Sequence, residues 1–254
     1  MEHGNRSVLR IGVLGAGPIA QFAHLEACRK AANAELYALC DAAEDLLERV
    51  AAVHPPQVTH TDYDAMLADS ALDAVAIATP VATHATLAEQ VLATGKHCFV
   101  EKPLAQNSTD AERLVEAAAD AGRVLMVGHL LEYHPGLEML GDMAAAGELG
   151  DIHYIYGNRL NLGKLRADEN ALWSLGAHDV SVLLRLTGEE PCEVQARGGS
   201  YMRESVEECE GLARAVAESG RVLQVGTMRR FDPAIAFARD FVRDQLGEVL
   251  TMRA

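Results

Sequence analysis

A β-branched and aliphatic run, Val8 to Leu14, ends in Gly15-Ala16-Gly17-Pro18-Ile19-Ala20 and leads into a helical pattern from about Pro18 to Ala32. A strand that leaves through Gly-x-Gly-x-x-Ala and opens a helix has the form of a dinucleotide-binding turn. Gly15 permits the tight turn out of the strand, and Gly17 lets backbone approach a pyrophosphate. Ala20 is small enough for helix and strand to pack closely. Phosphates then meet free N–H groups and the positive end of the helix dipole. Glycine turns of this form also occur without a ligand, so the neighbours decide. The next apolar run, Glu35 to Cys40, closes on Asp41, which is placed to accept hydrogen bonds from the adenosine ribose hydroxyls. A carboxylate there repels a 2′-phosphate, and Ala42 and Ala43 supply no arginine to bind one, so NAD is expected over NADP. Two other readings stay open: Asp41 as the N-cap of the following helix, and an S-adenosylmethionine site with similar glycines.

The rest of the N-terminal half alternates. Ala42 to His54 reads as a helix, with Leu46, Leu47, Val50 and Val53 at helical spacing. Asp73 to Thr79 reads as a strand, Thr83 to Thr94 as a helix, His97 to Val100 as a strand, Ser108 to Ala121 as a helix and Arg123 to Val127 as a strand. Such alternation implies an α/β fold, a doubly wound parallel sheet covered by helices on both faces and wound right-handedly. After Tyr133 the pattern changes. Pro135 to Ala146 is helical, and Asp151 to Leu162 alternates Ile152, Tyr154 and Tyr156 as a half-solvated strand would. Gly176 to Leu186 is helical and Cys192 to Tyr201 extended. The expected organisation is a Rossmann domain over 1–130 and a second, incomplete α+β domain over 131–202.

Residues 203–254 repeat an earlier piece. Gly122-Arg-Val-Leu-Met-Val-Gly128 returns as Gly220-Arg-Val-Leu-Gln-Val-Gly226. Tyr133-His134-Pro135 is matched by Phe231-Asp232-Pro233, and Leu149-Gly150-Asp151-Ile152 by Leu246-Gly247-Glu248-Val249. Two copies make no solenoid. The segment is read as a second copy of the helix–strand–helix–strand unit found over about 105–155.

The net charge of −15 disfavours nucleic acid and anionic membranes as partners. No apolar run reaches about 18 residues, and Met1 to Arg10 lacks a signal-peptide core, so a cytoplasmic protein is expected. The five cysteines contain no Cys-x-x-Cys pair, and the three inside apolar runs read as buried free thiols. No His/Cys/Asp cluster suggests a metal site.

Further motifs follow in order: Thr79-Pro80 with His84, Glu101-Lys102-Pro103 after a strand, and Gly128 to Pro135. Together with the glycine turn they resemble the Gfo/Idh/MocA oxidoreductases, the glucose–fructose oxidoreductase and inositol dehydrogenase family, over about residues 8–202. The stretch from Arg159 through Glu169-Asn170-Ala171-Leu172-Trp173 to His178-Asp179 looks like members acting on nucleotide-linked amino sugars. The resemblance implies that Lys102 lies beside the nicotinamide and the substrate hydroxyl. A positioned lysine there can take the hydroxyl proton as hydride leaves carbon. It also implies that His178 is catalytic or substrate-binding, that His84 lines the cofactor cleft, and that Glu101 positions the Lys102 loop. His134, Arg159, Asn161 and Arg166 become candidate contacts to a sugar or nucleotide-sugar. Many members carry Asp four residues before the histidine; this chain has Ser174, which cannot hold an imidazolium as a carboxylate would. Members also continue into a large antiparallel sheet that walls the substrate pocket, where this chain enters its repeat. Exposed edges of a partly built sheet invite association, so a homo-oligomer is an expected partner. The competing expectation is a non-catalytic NAD-binding protein.

Overall fold

The computed structural model describes residues 8–158 and 172–195. The chain divides into two compact units, Met1–Asp142 with Ala171–Val182 and Met143–Asn170 with Leu183–Ala254. The first holds a six-stranded sheet in the order β3-β2-β1-β4-β5-β6, formed by β1 (Leu9–Leu14), β2 (Ala34–Cys40), β3 (Val58–His60), β4 (Ala74–Ile77), β5 (His97–Val100) and β6 (Leu125–Val127). Every pairing is parallel. The chain winds outward from β1 to β3, then returns to the other side of β1 for β4. That reversal opens a crevice outside the carboxyl ends of β1 and β4, where open α/β sheets bind ligands.

Successive strand residues point to opposite faces, and the core divides accordingly. Leu14, Ala38, Cys40, Val75 and Ile77 belong to one apolar cluster, whereas Val13, Leu39 and Ala76 belong to the other. On the first face pack α3 (Tyr63–Leu67), α4 (His84–Ala93) and α5 (Ser108–Ala121), through Met66, Leu67, Leu87, Val91, Leu92 and Leu114. On the second pack α1 (Leu25–Lys30) and α2 (Glu44–Val53), through Leu25, Cys28, Leu47 and Val50. Each fully buried Leu or Val contributes about 1.5–3 kcal/mol of transfer free energy, which is why near-continuous apolar strands specify this two-sided sheet.

Helix ends are set by local chemistry. Asn107 accepts the Asp110 N–H at 2.8 Å and starts α5, and Gly122, at φ 59°, ends it in the left-handed conformation that costs glycine nothing. The buried Lys96 ammonium donates to the Leu67 carbonyl at 2.8 Å, capping the C-terminus of α3 with a cation.

The parallel sheet and its helices follow the sequence expectation closely, with two additions. β3 and α3 carry no readable period, since three polar-flanked residues and a single helical turn are too short to show one. One expectation is corrected. Residues 151–158 form no strand, and Tyr154 and Tyr156 are exposed. Alternation alone makes no strand without a neighbour to supply the ladder and a core to cover one face, and among the described residues none does so here. Residues 192–195 are likewise irregular, and the remainder of that expected strand lies outside the described residues. So does the repeat at 203–254. α6 (Pro135–Ala145) and α7 (Ala177–Thr187) match their expected spans.

Cys28, Cys40 and Cys98 are buried, as expected, and Cys192 is exposed. Burial pushes the Cys98 thiol up to about 12. Burial, with Asp41 and Asp62 nearby, pushes Cys40 up to about 11. Thiolate is the reactive form, so these thiols are nearly inert at neutral pH. Alkylation of native protein followed by mass mapping should modify Cys192 well before Cys28, Cys40 or Cys98.

Candidate functional site

The glycine turn sits where three strands end. The Gly15 N–H donates to the Cys40 carbonyl at 2.8 Å, and the Ala78 N–H donates to the Leu14 carbonyl at the same length. Gly15 has φ 98°, and a Cβ there would lie 2.8 Å from the Ala78 carbonyl oxygen. Only glycine fits. Gly17 differs: a Cβ there would meet nothing within 4 Å. Its backbone therefore faces open space, the condition for close approach by a pyrophosphate. Ala20 is fully buried in the second-face core, and Pro18 and Ile19 stay at the surface. The helix opens through one wide π turn, Ala20–His24, before α1, a form that recurs at functional sites.

Asp41 grips this turn. Its Oδ2 accepts the Ala16 N–H at 2.8 Å and its Oδ1 the Ala43 N–H at 2.9 Å. The N-cap of α2 is Ala43, with no side-chain cap, so the carboxylate ties the turn after β1 to the loop after β2 rather than capping the helix. Each oxygen retains a lone pair for a further donor. The cradle fits a dinucleotide: open backbone at Gly17, a helix N-terminus, and a carboxylate beside them.

Across the crevice, the end of β4 is tied into a tight loop. Thr83 Oγ1 donates to the Pro80 carbonyl at 2.7 Å, which leaves Thr79 Oγ1 as donor to Thr83 Oγ1 at 2.7 Å. His84 was expected to line the cleft, and here the structure corrects the sequence. Its ring is buried, with Nδ1 2.8 Å from the Pro103 carbonyl oxygen and Nε2 2.9 Å from that of Thr79. Both nitrogens face carbonyls, so the ring fills the space between the Thr79 and Pro103 loops with an N–H available to donate into it. Removing it leaves two buried acceptors and a cavity. His84→Ala should lower stability by about 2–4 kcal/mol in chemical denaturation.

Pro103 follows Lys102 through a cis peptide at the end of β5. Glu101 sits under the same loop, with its Oε1 2.9 Å from His24 Nε2 and its Oε2 accepting the Lys102 N–H at 3.2 Å. Burial alone would raise the Glu101 carboxyl, but the His24 hydrogen bond and the charges of His24 and Lys102 outweigh it and hold the group below its ordinary 4.5. A depressed folded-state value contributes stability above that ordinary value and loses it as pH falls through the folded one. The stability difference between wild type and Glu101→Gln should therefore be full at neutral pH and shrink in acid. Denaturant titrations at both pH values check it.

The next strand brings two more histidines. Gly128 ends β6 against Glu101, where a Cβ would come within 3.2 Å of Oε2. His129 follows, its ring perpendicular to that of His178 on α7 with centroids 6.5 Å apart. His178 thus reaches the β6 end, next to β5, whose following loop carries Lys102. His134 is exposed, and its Nδ1 accepts the Gly136 N–H at 3.1 Å at the start of α6, a local turn. Arg159, Asn161 and Arg166 lie outside the described residues, as does the Ser174 side chain. His24 and His129 were not singled out by sequence. Glu101 is 77 positions from His24, and no local pattern links them. Among the described residues no group of three or more His, Cys, Asp or Glu could hold a metal, and no helix is long and apolar enough to cross a membrane.

Comparison with known proteins agrees with this geometry. Residues 9–129 match the family model described as "Oxidoreductase family, NAD-binding Rossmann fold". The UDP-N-acetylglucosamine 3-dehydrogenase of Acidithiobacillus ferrooxidans is 34% identical over 191 residues, 75% of this chain and 58% of that protein. Among solved structures, an oxidoreductase domain protein from Kribbella flavida is 28% identical with a TM-score of 0.68, covering 78% of this chain and 59% of that one. A 3-ketoreductase from Actinomadura kijaniata, solved in complex with NADP, is 30% identical with a TM-score of 0.53, covering 57% of this chain and 46% of that one. The chain spans about six-tenths of the length of the curated relatives it matches.

Proposed function

We propose, from the match of residues 9–129 to the oxidoreductase family model, that this chain is a Gfo/Idh/MocA oxidoreductase and transfers hydride between a sugar or nucleotide-sugar carbinol carbon and NAD. The observation that carries the reading is the joined geometry of Gly15, Gly17 and Asp41 at the switch point of the sheet. Gly17 and the following helix N-terminus would hold the pyrophosphate, with Pro18, Ile19 and Ala20 forming the first turn. Asp41 would accept from a ribose hydroxyl with the lone pairs its loop leaves over. A 2′-phosphate would meet the same carboxylate, so NAD is the preferred form, although a relative from Actinomadura kijaniata was solved with NADP. Thr79, Pro80, Glu101 and Lys102 line the opposite wall.

The nicotinamide supplies the hydride acceptor. The protein supplies the base. Oxidation of a carbinol breaks C–H and O–H together, so a side chain must take the hydroxyl proton. Lys102 is assigned that role, at the mouth of β5 on the loop fixed by Glu101 and His84. His178 is assigned to substrate orientation or to the same proton transfer. His134, Arg159, Asn161 and Arg166 are assigned to the sugar or its nucleotide. The name of the relative from Acidithiobacillus ferrooxidans supports a nucleotide-linked amino sugar as the first substrate to try.

The test is turnover. Purified chain is mixed with NAD or NADP and a panel of free sugars, inositols and UDP-sugars, and absorbance at the reduced nicotinamide band is followed. Formation of reduced NAD with at least one member supports the proposal. Saturable NADH binding with no turnover across the panel would favour a dinucleotide-binding protein without catalysis.

A further inference from the structure

We infer that His24 is a positioning residue for Lys102, acting through Glu101. The inference deepens the reading above and rests on it only for the name of the reaction. His24 closes the π turn that follows the glycine cradle, and Glu101 precedes the lysine at the end of β5. Their side chains are 13% and 15% exposed, and His24 Nε2 lies 2.9 Å from Glu101 Oε1. The His24 ring also packs edge-on against Phe99 of β5, with centroids 5.1 Å apart. Phe99 closes the space beyond Gly128 too, since a Cβ there would come within 3.1 Å of its ring.

These contacts leave Glu101 few conformations. Oε1 is held by His24, Oε2 accepts the Lys102 N–H at 3.2 Å, and Gly128 lies against the carboxylate. The charged or titratable groups whose fields act on it are those of His24 and Lys102. A carboxylate fixed at both oxygens fixes the peptide that starts the lysine loop. His84 fixes the loop's other end through the Pro103 carbonyl. The lysine thus projects from a segment clamped on each side, one clamp belonging to the helix that begins at the pyrophosphate cradle. Loss of His24 frees Oε1 and lets the carboxylate rotate away from the Lys102 N–H. A misplacement of about 1 Å at a reacting group can cost around a hundredfold in rate.

Lysine itself can report on this. The chain's lysines are Lys30, Lys96, Lys102 and Lys164, so reductive methylation with carbon-13 formaldehyde yields a sparse NMR spectrum. Loss of one peak in Lys102→Arg assigns the Lys102 signal. The inference expects that peak to be distinct in the wild type and to move toward the exposed Lys30 peak in His24→Ala. His24→Gln, whose amide can donate from nearly the same place, should restore it. Where turnover is measured, His24→Ala should lower kcat about tenfold or more, with KM for NAD changed little. An unmoved Lys102 signal in both His24→Ala and Glu101→Gln would overturn the inference. Should His24→Ala fail to fold, the Glu101→Gln spectrum decides alone: a shift supports the clamp and none refutes it. A wild type that binds no dinucleotide would defeat the proposed function while leaving this comparison to be read in the apo protein.

Discussion

Gly15→Ala is expected to destabilise the first unit by about 2–6 kcal/mol and to abolish dinucleotide binding. Two costs add. The residue sits at φ 98°, where an L side chain is strained by roughly 1–3 kcal/mol. The new Cβ would also stand 2.8 Å from the Ala78 carbonyl oxygen. That oxygen is backbone at the end of β4 and cannot swing aside as a side-chain tip would. Moving it shifts Thr79 and, through Thr79, the contact to His84. Relief therefore comes only by displacing the turn or the strand, and overpacking of this kind costs about 1–3 kcal/mol. Gly17→Ala is the control. With nothing within 4 Å of its would-be Cβ, it should fold as the wild type does and yet bind NADH at least tenfold more weakly. Denaturant midpoints and NADH titrations on the two variants separate folding from binding. Equal stability of Gly15→Ala and wild type would mean that the turn is not built as described.

Lys102→Met should lower kcat by about a hundredfold to ten-thousandfold, the range that general acid–base groups supply. NADH affinity should change by no more than a few-fold. Methionine keeps much of the volume of the stem and removes the ammonium. Loop anchoring should survive, because it comes from Glu101 Oε2 at the Lys102 backbone N–H and from His84 at the Pro103 carbonyl, neither of which uses the lysine side chain. Single-turnover rates with prebound NAD and a sugar substrate would separate chemistry from binding. A variant that keeps the wild-type rate would move the base to another group, with His178 next in line.

Much of this fold was legible before any coordinate, for a physical reason. Strands buried on both faces must be apolar throughout, so Val8 to Leu14, Asp73 to Thr79 and His97 to Val100 announce themselves. Gly15, Gly17 and Asp41 were legible because a tight turn, a bare backbone and an acid at the next strand end are each dictated by local chemistry. β3 and α3 were not, since elements of three and five residues hold no period. His84 was read as a cleft residue through the family resemblance of the Thr79-Pro80 and His84 motif, whereas its burial depends on Pro103, 19 positions away. His24 and His129 escaped for the same reason, as their partners Glu101 and His178 are set by strand order and not by spacing. Residues 151–158 misled in the opposite direction. Ile152, Tyr154 and Tyr156 alternate as a strand should, yet a strand needs a neighbour that the local sequence does not encode.

The decisive measurement is a pair of titrations on the purified chain, NADH and NADPH in parallel, followed by nicotinamide fluorescence or calorimetry. Backbone at Gly17 and the carboxylate of Asp41 require saturable NADH binding, at least tenfold tighter than NADPH, and lost in Gly15→Ala. Folded wild-type protein that takes up neither nucleotide at millimolar concentration would contradict the cradle itself, and tighter binding of NADPH would contradict the part given to Asp41.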